Sequence, residues 1–285
     1  MKAFFSLMRV HQWVKNLFVF VGLLFSFRWD GYILMSAIGA FFSFCCAASS
    51  VYILNDFKDI ESDRLHPKKR YRPLAAGTVS KGSALAFSLF LIVVACMIAW
   101  IASIQVLFFV IGYFVINIAY TLWLKNEVIL DVFCIFSGFM MRLLAGTVGI
   151  GIVPSKWLLI TGMMITLFLG FGKRRAELAG GTKSRKILSL YSIPLLDKYI
   201  AICATATILT YGLYTVDSTT IAIHGTSNLI WTMPIVAFGI FRYIYLIHLQ
   251  GGGEDTSRDL IEDIPMLLSV GLWMVSVLFI MVRQH

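Results

Sequence analysis

Four of the oxygen-bearing side chains between residues 55 and 63 have a spacing that could place them together. Asn55, Asp59 and Asp63 recur every four residues, and Asp56 stands beside the first of them. A helix that continues through this stretch would stack them on one face, since residues four apart are neighbours on a helix. Carboxylates repel one another there unless a cation lies among them, and such oxygens suit Mg²⁺ shared with substrate phosphates. The spacing predicts a magnesium site, with a solvated charged loop as the alternative.

A group of cations follows these acids directly. Its members, between Pro67 and Leu74, are Lys68, Lys69, Arg70 and Arg72. Guanidinium and ammonium groups are phosphate ligands. Carboxylates for a metal followed by cations for phosphate are the two halves of a diphosphate site, so the stretch indicates a substrate that carries a diphosphate.

The composition around this stretch is that of a membrane protein. Of the 285 residues, 59% are hydrophobic and only 14% are charged, compared with about 25% charged in average soluble domains. Between Lys81 and Lys125, 43 consecutive residues carry no Asp, Glu, Lys or Arg. As one helix they would extend roughly 65 Å, about twice the thickness of a hydrocarbon core. The chain therefore must turn once, and residues 102–105 are the expected place.

The apolar windows predict an all-α polytopic protein, because only helices satisfy the backbone of such spans in lipid. We predict a single domain over residues 1–285 with nine transmembrane helices. The predicted spans are 14–28, 31–54, 83–102, 105–124, 129–151, 155–173, 199–217, 228–248 and 264–282.

The distribution of Lys and Arg predicts the orientation of these spans. The N-terminal segment and the loops after even-numbered spans hold 20 of the 24 basic residues. The positive-inside rule then places the N-terminus in the cytoplasm and, with nine spans, the C-terminus on the far side. The N-terminus lacks the pattern of a cleaved signal peptide, and the five cysteines lie in apolar stretches as expected of packing residues. The net charge of +9 suits anionic lipid headgroups or anionic substrates.

Asn55-Asp56-x-x-Asp59-x-x-x-Asp63, followed by Arg72-Pro73-Leu74, resembles the first signature motif of the UbiA superfamily of intramembrane prenyltransferases. The resemblance covers essentially the whole chain. It implies a bundle of nine transmembrane helices with an active-site cavity facing the cytoplasm, a Mg²⁺ cofactor and a diphosphate substrate.

The chain departs from the usual members in the loop after span 6. Those members have a second motif with two aspartates four residues apart, whereas this chain reads GKRRAEL over residues 172–178. Together with QWVKN (residues 12–16) and LDVFCIFSGFMMRLLAG (residues 130–146), this resembles the decaprenyl-phosphate phosphoribosyltransferase branch. That branch transfers 5-phosphoribose from phosphoribosyl diphosphate to a polyprenyl phosphate, on the way to a lipid-linked arabinose donor for the cell wall. These two substrates and membrane lipids are the implied partners; no nucleic-acid partner is expected.

The resemblance implies roles for the charged residues of the first motif. Asp56, Asp59 and Asp63 are expected to hold Mg²⁺, with Asn55 as a donor or ligand. Lys15, within QWVKN, joins the three aspartates as a predicted catalytic residue. The residues expected to contact the donor's phosphates are Lys15, Lys69, Arg70 and Arg72.

Other polar residues carry two interpretations each. Lys173, Arg174 and Glu177 replace the second motif and are expected to bind donor or acceptor phosphate, with lipid headgroups as the partner of Arg175. Tyr120 and Lys125, at the end of span 4, either orient substrate or anchor the helix at the membrane interface. Arg142 shares a face of span 5 with Asp131, and either lines the central cavity or belongs to a buried structural pair. Glu254, Asp255 and Asp259 either cap the site or belong to a solvated linker.

Two other functions remain as alternatives. One is prenyl transfer from a prenyl diphosphate to an aromatic acceptor, as in quinone biosynthesis, which the missing second aspartate motif disfavours. The other is transport, which usually goes with internal repeats and broken helices at mid-membrane. The sequence shows neither feature.

Overall fold

The structure, a computed structural model, describes residues 2–26, 30–66, 69–180, 186–249, 252–253 and 256–283. All regular elements within these residues are helices. The α-helices are α1 (Lys2–Met8), α2 (Phe20–Ser26), α3 (Gly31–Lys58), α4 (Ile60–Leu65), α5 (Lys81–Ala102), α6 (Ile104–Leu122), α7 (Leu130–Ala145), α8 (Lys156–Ala179), α9 (Ile193–Val216), α10 (Ser218–His224), α11 (Met233–Leu249), α12 (Thr256–Glu262) and α13 (Ile264–Val282). Short 3-10 helices cover Val10–Val19, Lys69–Tyr71, Leu124–Asn126, Val148–Ile150, Lys186–Leu190 and Asn228–Thr232.

Eight helices of the described chain are long and apolar enough to cross a membrane. They correspond to predicted spans two to nine. The predicted first span corresponds to the shorter apolar helical segment Val10–Ser26, and its last two residues lie outside the described residues. The all-helical membrane fold is therefore confirmed, and the count of nine spans stays a prediction.

Polar caps set where several of these helices begin. The predicted turn inside the long apolar run falls at Ser103, whose hydroxyl accepts a hydrogen bond from the Val106 N–H at 3.0 Å and starts α6. Asp30 caps α3 and Ser80 caps α5 in the same way. These side chains satisfy N–H groups that have no partner inside the helix.

The described chain divides into two compact units. The first unit contains Met1–Lys125 and Ser137–Val153, and the second contains Asn126–Phe136 and Pro154–His285. The sequence of α7 is therefore divided after Phe136. The prediction of a single domain stays a prediction, and each unit is described by itself.

Small residues bring α3 and α5 together in the first unit. Ser43 donates to the Ala95 carbonyl at 2.7 Å, and the hydroxyls of Ser50 and Ser88 lie 2.8 Å apart. Short side chains let helix backbones approach closely, which favours dispersion contacts and interhelical hydrogen bonds in a membrane. This packing holds the end of α3 at which the acidic motif begins. The sequence predicts that this end faces the cytoplasm.

The second unit packs α8 against α9, with α11 against both. Phe168, Tyr243 and Leu196 are almost fully buried in its core. At Gly170 a Cβ atom would lie 2.7 Å from the Val132 side chain, so only glycine lets α8 meet the first turn of α7 this closely. One helical turn further along α8 lies Arg174.

Candidate active site

The acidic motif spans the junction between α3 and α4. The sequence predicts a helix that continues through it, and the structure shows a break at Asp59, which has φ −97° and ψ 11°. The backbone bonds from Asp59 N to Asn55 O (3.0 Å) and from Asp63 N to Asp59 O (2.8 Å) are nevertheless retained. The four-residue spacing of the predicted ligands therefore survives the break.

Asp56 and Asp63 converge on one arginine nitrogen. Arg72 Nη1 lies 3.0 Å from Asp56 Oδ1 and 2.7 Å from Asp63 Oδ2. The two aspartates are 3% and 4% exposed. Buried carboxylates need a paired cation, and Arg72 supplies it for both. The structure thus brings together three residues that the sequence analysis placed in one site.

Arg9 is a member of this site that the sequence analysis missed. Its guanidinium contacts Asp56 Oδ1 and lies 5.1 Å from the centre of the Tyr52 ring. Its backbone is left-handed, with φ 49°, which is rare for a residue other than glycine. No spacing rule links residue 9 to residue 56, so only the packing of the N-terminal segment reveals the contact. We call Arg9, Asp56, Asp63 and Arg72 the first cluster.

Asp59 and Asn55, the other two residues of the acidic motif, contact residues outside the first cluster. Asp59 is more open, with a side chain 42% exposed, and lies 3.5 Å from Lys125 Nζ. Asn55 Oδ1 accepts a hydrogen bond from the Thr121 hydroxyl at 2.6 Å. Lys125, for which the sequence indicates either substrate orientation or membrane anchoring, therefore lies beside the acidic motif.

The remaining predicted phosphate ligands of the first unit are more dispersed. Arg70 is exposed and donates to the hydroxyl of Tyr71 at 2.7 Å. Lys69 is partly exposed, and its backbone N–H donates to His66. Lys15 and Tyr120 are partly exposed on the 3-10 helix Val10–Val19 and on α6. Lys68 lies outside the described residues.

The donor set of the first cluster suits magnesium. Carboxylate oxygens are hard ligands, and Mg²⁺ commonly takes only one or two of them, with water and substrate phosphate completing its shell. No three acidic, His or Cys side chains of the described chain form a preformed metal site. The pair Asp56 and Asp63, both directed at the single position that Arg72 Nη1 holds, nevertheless fits a divalent cation.

Arg142 lies in a separate polar network of the first unit. It is 5% exposed, and its guanidinium donates to Asn16 Oδ1 at 2.6 Å, to the Gly138 carbonyl at 2.7 Å and to the Tyr113 hydroxyl at 3.3 Å. The rings of Phe44, Tyr113 and Phe139 surround it at 4.7–5.6 Å from their centres. Of the two interpretations of Arg142, the buried network describes this arrangement better, because the guanidinium is enclosed by protein.

A second charged cluster lies in the second unit. Arg174 is fully buried and contacts the carboxylates of Asp131 and Glu177. Tyr191 donates to Asp131 Oδ1 at 2.9 Å and accepts from the Ile129 N–H at 2.7 Å. Burial raises the pKa of Tyr191, so its hydroxyl keeps the proton that it donates. We call Asp131, Arg174, Glu177 and Tyr191 the second cluster.

The second cluster changes the interpretation of the residues around it. Arg174 directs its guanidinium at two carboxylates, and Lys173 is partly exposed. The lipid-headgroup interpretation of Arg175 is wrong, because its buried guanidinium donates to Asp197 at 2.6 Å and to the Ile247 carbonyl at 2.8 Å.

The loop before α12 is partly described. Asp259 accepts a hydrogen bond from the Gly253 N–H at 2.7 Å. Gly253 has φ 103° and packs so closely on Ala176 that a Cβ atom would lie 2.9 Å from its side chain. This part of the loop is therefore packed on α8 rather than freely solvated. Glu254 and Asp255, its other predicted capping residues, lie outside the described residues.

Solved structures share this fold at low sequence identity. A UbiA homolog from Archaeoglobus fulgidus bound to GPP and Mg²⁺ superposes with a TM-score of 0.73 at 16% identity, over 98% of this chain and 99% of that one. This similarity shows the fold alone.

Curated relatives and a family model extend the comparison to sequence. Decaprenyl-phosphate phosphoribosyltransferase of Mycolicibacterium smegmatis is 34% identical over 86% of this chain and 81% of its own. The protein of the same name from Mycobacterium tuberculosis is 32% identical over 94% and 91%. The UbiA prenyltransferase family model matches residues 16–279. This chain therefore belongs to the UbiA prenyltransferase family.

Proposed function

We propose that this multi-pass membrane protein transfers 5-phosphoribose from phosphoribosyl diphosphate to a polyprenyl phosphate of the decaprenyl type and releases diphosphate. The observation that carries the proposal is the 32–34% identity to decaprenyl-phosphate phosphoribosyltransferases over 86–94% of the chain. The first cluster supports it, because it combines hard oxygen ligands with two guanidinium groups.

The chemistry needs charge stabilisation more than proton transfer. The bond between the anomeric carbon of the ribose and the diphosphate oxygen breaks, and a bond from that carbon to a polyprenyl phosphate oxygen forms. The acceptor oxygen is already anionic, so no general base is required. The negative charge that develops on the departing diphosphate is what the site must stabilise.

The residues divide this task by charge. We assign Mg²⁺ binding to Asp56 and Asp63, with Asp59 as the exposed third carboxylate; when bound, the ion acts as a Lewis acid on the diphosphate oxygens. Arg72 is assigned to the diphosphate, because a guanidinium matches phosphate geometry bidentately, and Arg9 is assigned to holding Asp56. The further phosphate contacts that we propose are Lys15, Lys69, Arg70 and Lys125.

In the second unit we propose different roles for neighbouring residues. Lys173 is partly exposed and is assigned to phosphate binding. Arg174 is buried between carboxylates, so we assign it to holding Glu177 and Asp131 in place. The phosphate contact first expected of Arg174 requires both ion pairs to open.

We further propose that the protein resides in a bacterial inner membrane with its N-terminus in the cytoplasm and its C-terminus on the far side. The product would then serve the synthesis of a lipid-linked pentose donor for a cell-wall arabinan. The support for the orientation is the one-sided distribution of Lys and Arg.

The test supplies purified protein with radiolabelled phosphoribosyl diphosphate, polyprenyl phosphate and Mg²⁺. We expect labelled lipid that disappears with EDTA and falls by roughly 100-fold or more in Asp59→Asn, since charge stabilisation at a leaving group is commonly worth this much. Glu61→Gln is the matched control, because Glu61 lies on the same segment with a side chain 79% exposed. Transfer of a prenyl group to 4-hydroxybenzoate without any labelled lipid would instead support an aromatic-acceptor prenyltransferase.

A further inference from the structure

The first cluster is already neutral without a metal. Asp56 and Asp63 contribute two negative charges, and Arg9 and Arg72 contribute two positive ones. A single nitrogen of Arg72 lies within hydrogen-bond distance of both carboxylates. The position where two carboxylates converge is therefore held by a cation that belongs to the protein itself.

A divalent cation and the Arg72 guanidinium exclude each other at this position. Mg²⁺ needs oxygen ligands at about 2.0–2.1 Å in near-octahedral geometry. An arginine nitrogen 2.7–3.0 Å from the same oxygens occupies that space and repels the ion. Metal can bind both carboxylates only after Arg72 has left them.

Arg72 and Arg9 differ in their freedom to leave. The Arg72 side chain is 28% exposed and the Arg9 side chain is 22% exposed, so water reaches both and exposure alone does not separate them. Arg9 is held by its left-handed backbone and by the Tyr52 ring 5.1 Å away. Arg72 is therefore the exchangeable partner, and Arg9 stays on Asp56.

A guanidinium that leaves two carboxylates needs another anion. A diphosphate offers the bidentate oxygen geometry that arginine prefers. We propose that Arg72 is an exchangeable counter-ion that makes the site accept a divalent metal together with a diphosphate and reject the metal alone. The inference rests on the proposed function for the identity of the diphosphate donor, and it adds the specificity determinant that selects the metal–diphosphate pair.

Thermodynamic linkage gives the size of the coupling that this proposal predicts between metal binding and diphosphate binding. If diphosphate removes Arg72 from the carboxylates, diphosphate raises the affinity for metal, and metal raises the affinity for diphosphate by the same factor. Couplings of this kind are about 10- to 100-fold. Removing the Arg72 charge should raise the affinity for metal alone by a similar factor, because the competing cation is gone.

The experiment is equilibrium dialysis of the full-length protein in detergent against radioactive Mn²⁺, with and without labelled methylene diphosphonate. Counting both labels on each side separates protein-bound metal from metal complexed in solution. We expect the wild type to bind Mn²⁺ about 10- to 100-fold more tightly with the diphosphonate than without it. Arg72→Met should bind Mn²⁺ alone with nearly the affinity that the wild type reaches with diphosphonate.

Lys58→Met is the matched control. Lys58 lies next to the same motif, and its ammonium donates to the Thr121 carbonyl at 2.6 Å rather than to a carboxylate of the cluster. The Lys58→Met variant removes one positive charge without freeing a metal ligand. Its affinity for Mn²⁺ alone should therefore stay within about threefold of wild type, because only a screened charge changes. Arg72→Gln is the second variant if Arg72→Met fails to fold, and Arg72→Lys, which keeps the competing positive charge, should still bind Mn²⁺ alone weakly.

Each outcome decides the proposal. Tight binding of Mn²⁺ alone by the wild type, or no gain in Arg72→Met and Arg72→Gln, would overturn it while leaving the proposed transfer reaction intact. A gain of equal size in Lys58→Met would also overturn it, since general electrostatics would then be the cause. No binding of Mn²⁺ in any protein, with or without diphosphonate, would remove the metal site and with it the metal-dependent form of the proposed function.

Discussion

The two charged clusters use the same residue types and differ in their access to water. In the first, the side chains of Arg9 and Arg72 are 22% and 28% exposed. In the second, Arg174 and Asp131 have no exposed side-chain surface. Solvent-exposed ion pairs contribute about 0–1 kcal/mol, whereas removing one member of a buried pair costs roughly 3–5 kcal/mol. The first cluster lies between these limits, because its partly exposed arginines contact carboxylates that are only 3–5% exposed.

We propose that this difference separates a binding role for the first cluster from a structural role for the second. An arginine between two carboxylates looks the same in both clusters when only the neighbours are considered. Exposure decides whether the arginine can turn toward a ligand, so the first cluster is suited to exchange and the second to permanence. The following predictions test this contrast, from the largest expected effect to the smallest.

The largest effect is expected at Arg174. Arg174→Met leaves the buried carboxylate of Asp131 without its cation, so the free energy of unfolding should fall by about 3–5 kcal/mol. Arg72→Met should lower it by only about 1–2 kcal/mol, because Asp56 keeps Arg9 and water can reach Asp63 through the space that the 28% exposed Arg72 side chain leaves. Unfolding in mixed micelles with increasing SDS measures both. Equal losses would contradict the contrast.

The next effect concerns the close approach that places Asp131 beside Arg174. Gly170→Ala inserts a Cβ atom 2.7 Å from Val132, and such overpacking should cost about 1–3 kcal/mol. Gly112→Ala is the matched change in the first unit, where the nearest atom is the flexible Met141 sulfur at 3.4 Å. It should cost nothing in the same SDS titration. A similar loss in both variants would mean that helix glycines are sensitive in general.

A smaller effect is expected in the buried arginine network of the first unit. Asn16→Ala and Arg142→Met each remove one member of a 2.6 Å hydrogen bond, so their effects on unfolding should be coupled by roughly 1–2 kcal/mol. Because Lys15 precedes Asn16, both changes should also raise the KM for the donor. Additive effects on stability, or an unchanged KM, would show that the network does not position Lys15.

The smallest effect is expected at the partly exposed pair of Arg242 and Asp263, whose side chains are 25% and 12% exposed. Hydrogen bonds from Arg242 hold the pKa of Asp263 below its ordinary value. A carboxyl group whose pKa is lower in the folded protein stabilises the fold at pH values above its unfolded pKa of about 3.9. This stabilisation is lost as the pH falls through the folded pKa. Asp263→Asn should therefore lower stability by less than about 1 kcal/mol at neutral pH. Melting curves of both proteins should converge once the pH falls below the lowered pKa of Asp263 in the folded protein; a constant difference would exclude titration of Asp263 as the cause.

Much of the fold was predictable because membrane helices depend on length and hydrophobicity, which are properties of the sequence itself. The turn at Ser103 follows from the length of the apolar run together with a good capping residue. The first segment was harder, because Val10–Val19 winds as a 3-10 helix that no apolar periodicity distinguishes from an α-helix. The predicted orientation and cytoplasmic cavity stay predictions.

The candidate site was predictable only in its local part. The four-residue spacing identified Asp59 and Asp63, and proximity in sequence identified Arg72. Contacts between distant segments were not accessible, because sequence spacing says nothing about which helix lies opposite. Arg9 on Asp56, 47 residues away, and Arg174 on Asp131, 43 residues away, belong to that class. The roles of these residues stay proposals.

Each cluster also contains or borders a residue whose backbone prefers another shape. Arg9 and Ile129, with φ 49° and 71°, are the non-glycine residues of the described chain with positive φ. Such conformations cost about 1–3 kcal/mol each. Glycine at either position would relieve this cost while loosening the charged groups nearby. Selection of this protein for heat resistance would therefore favour substitutions at these two positions. Laboratory evolution for stability alone should then yield variants that are more stable and less active, with their first substitutions at residues 9 and 129.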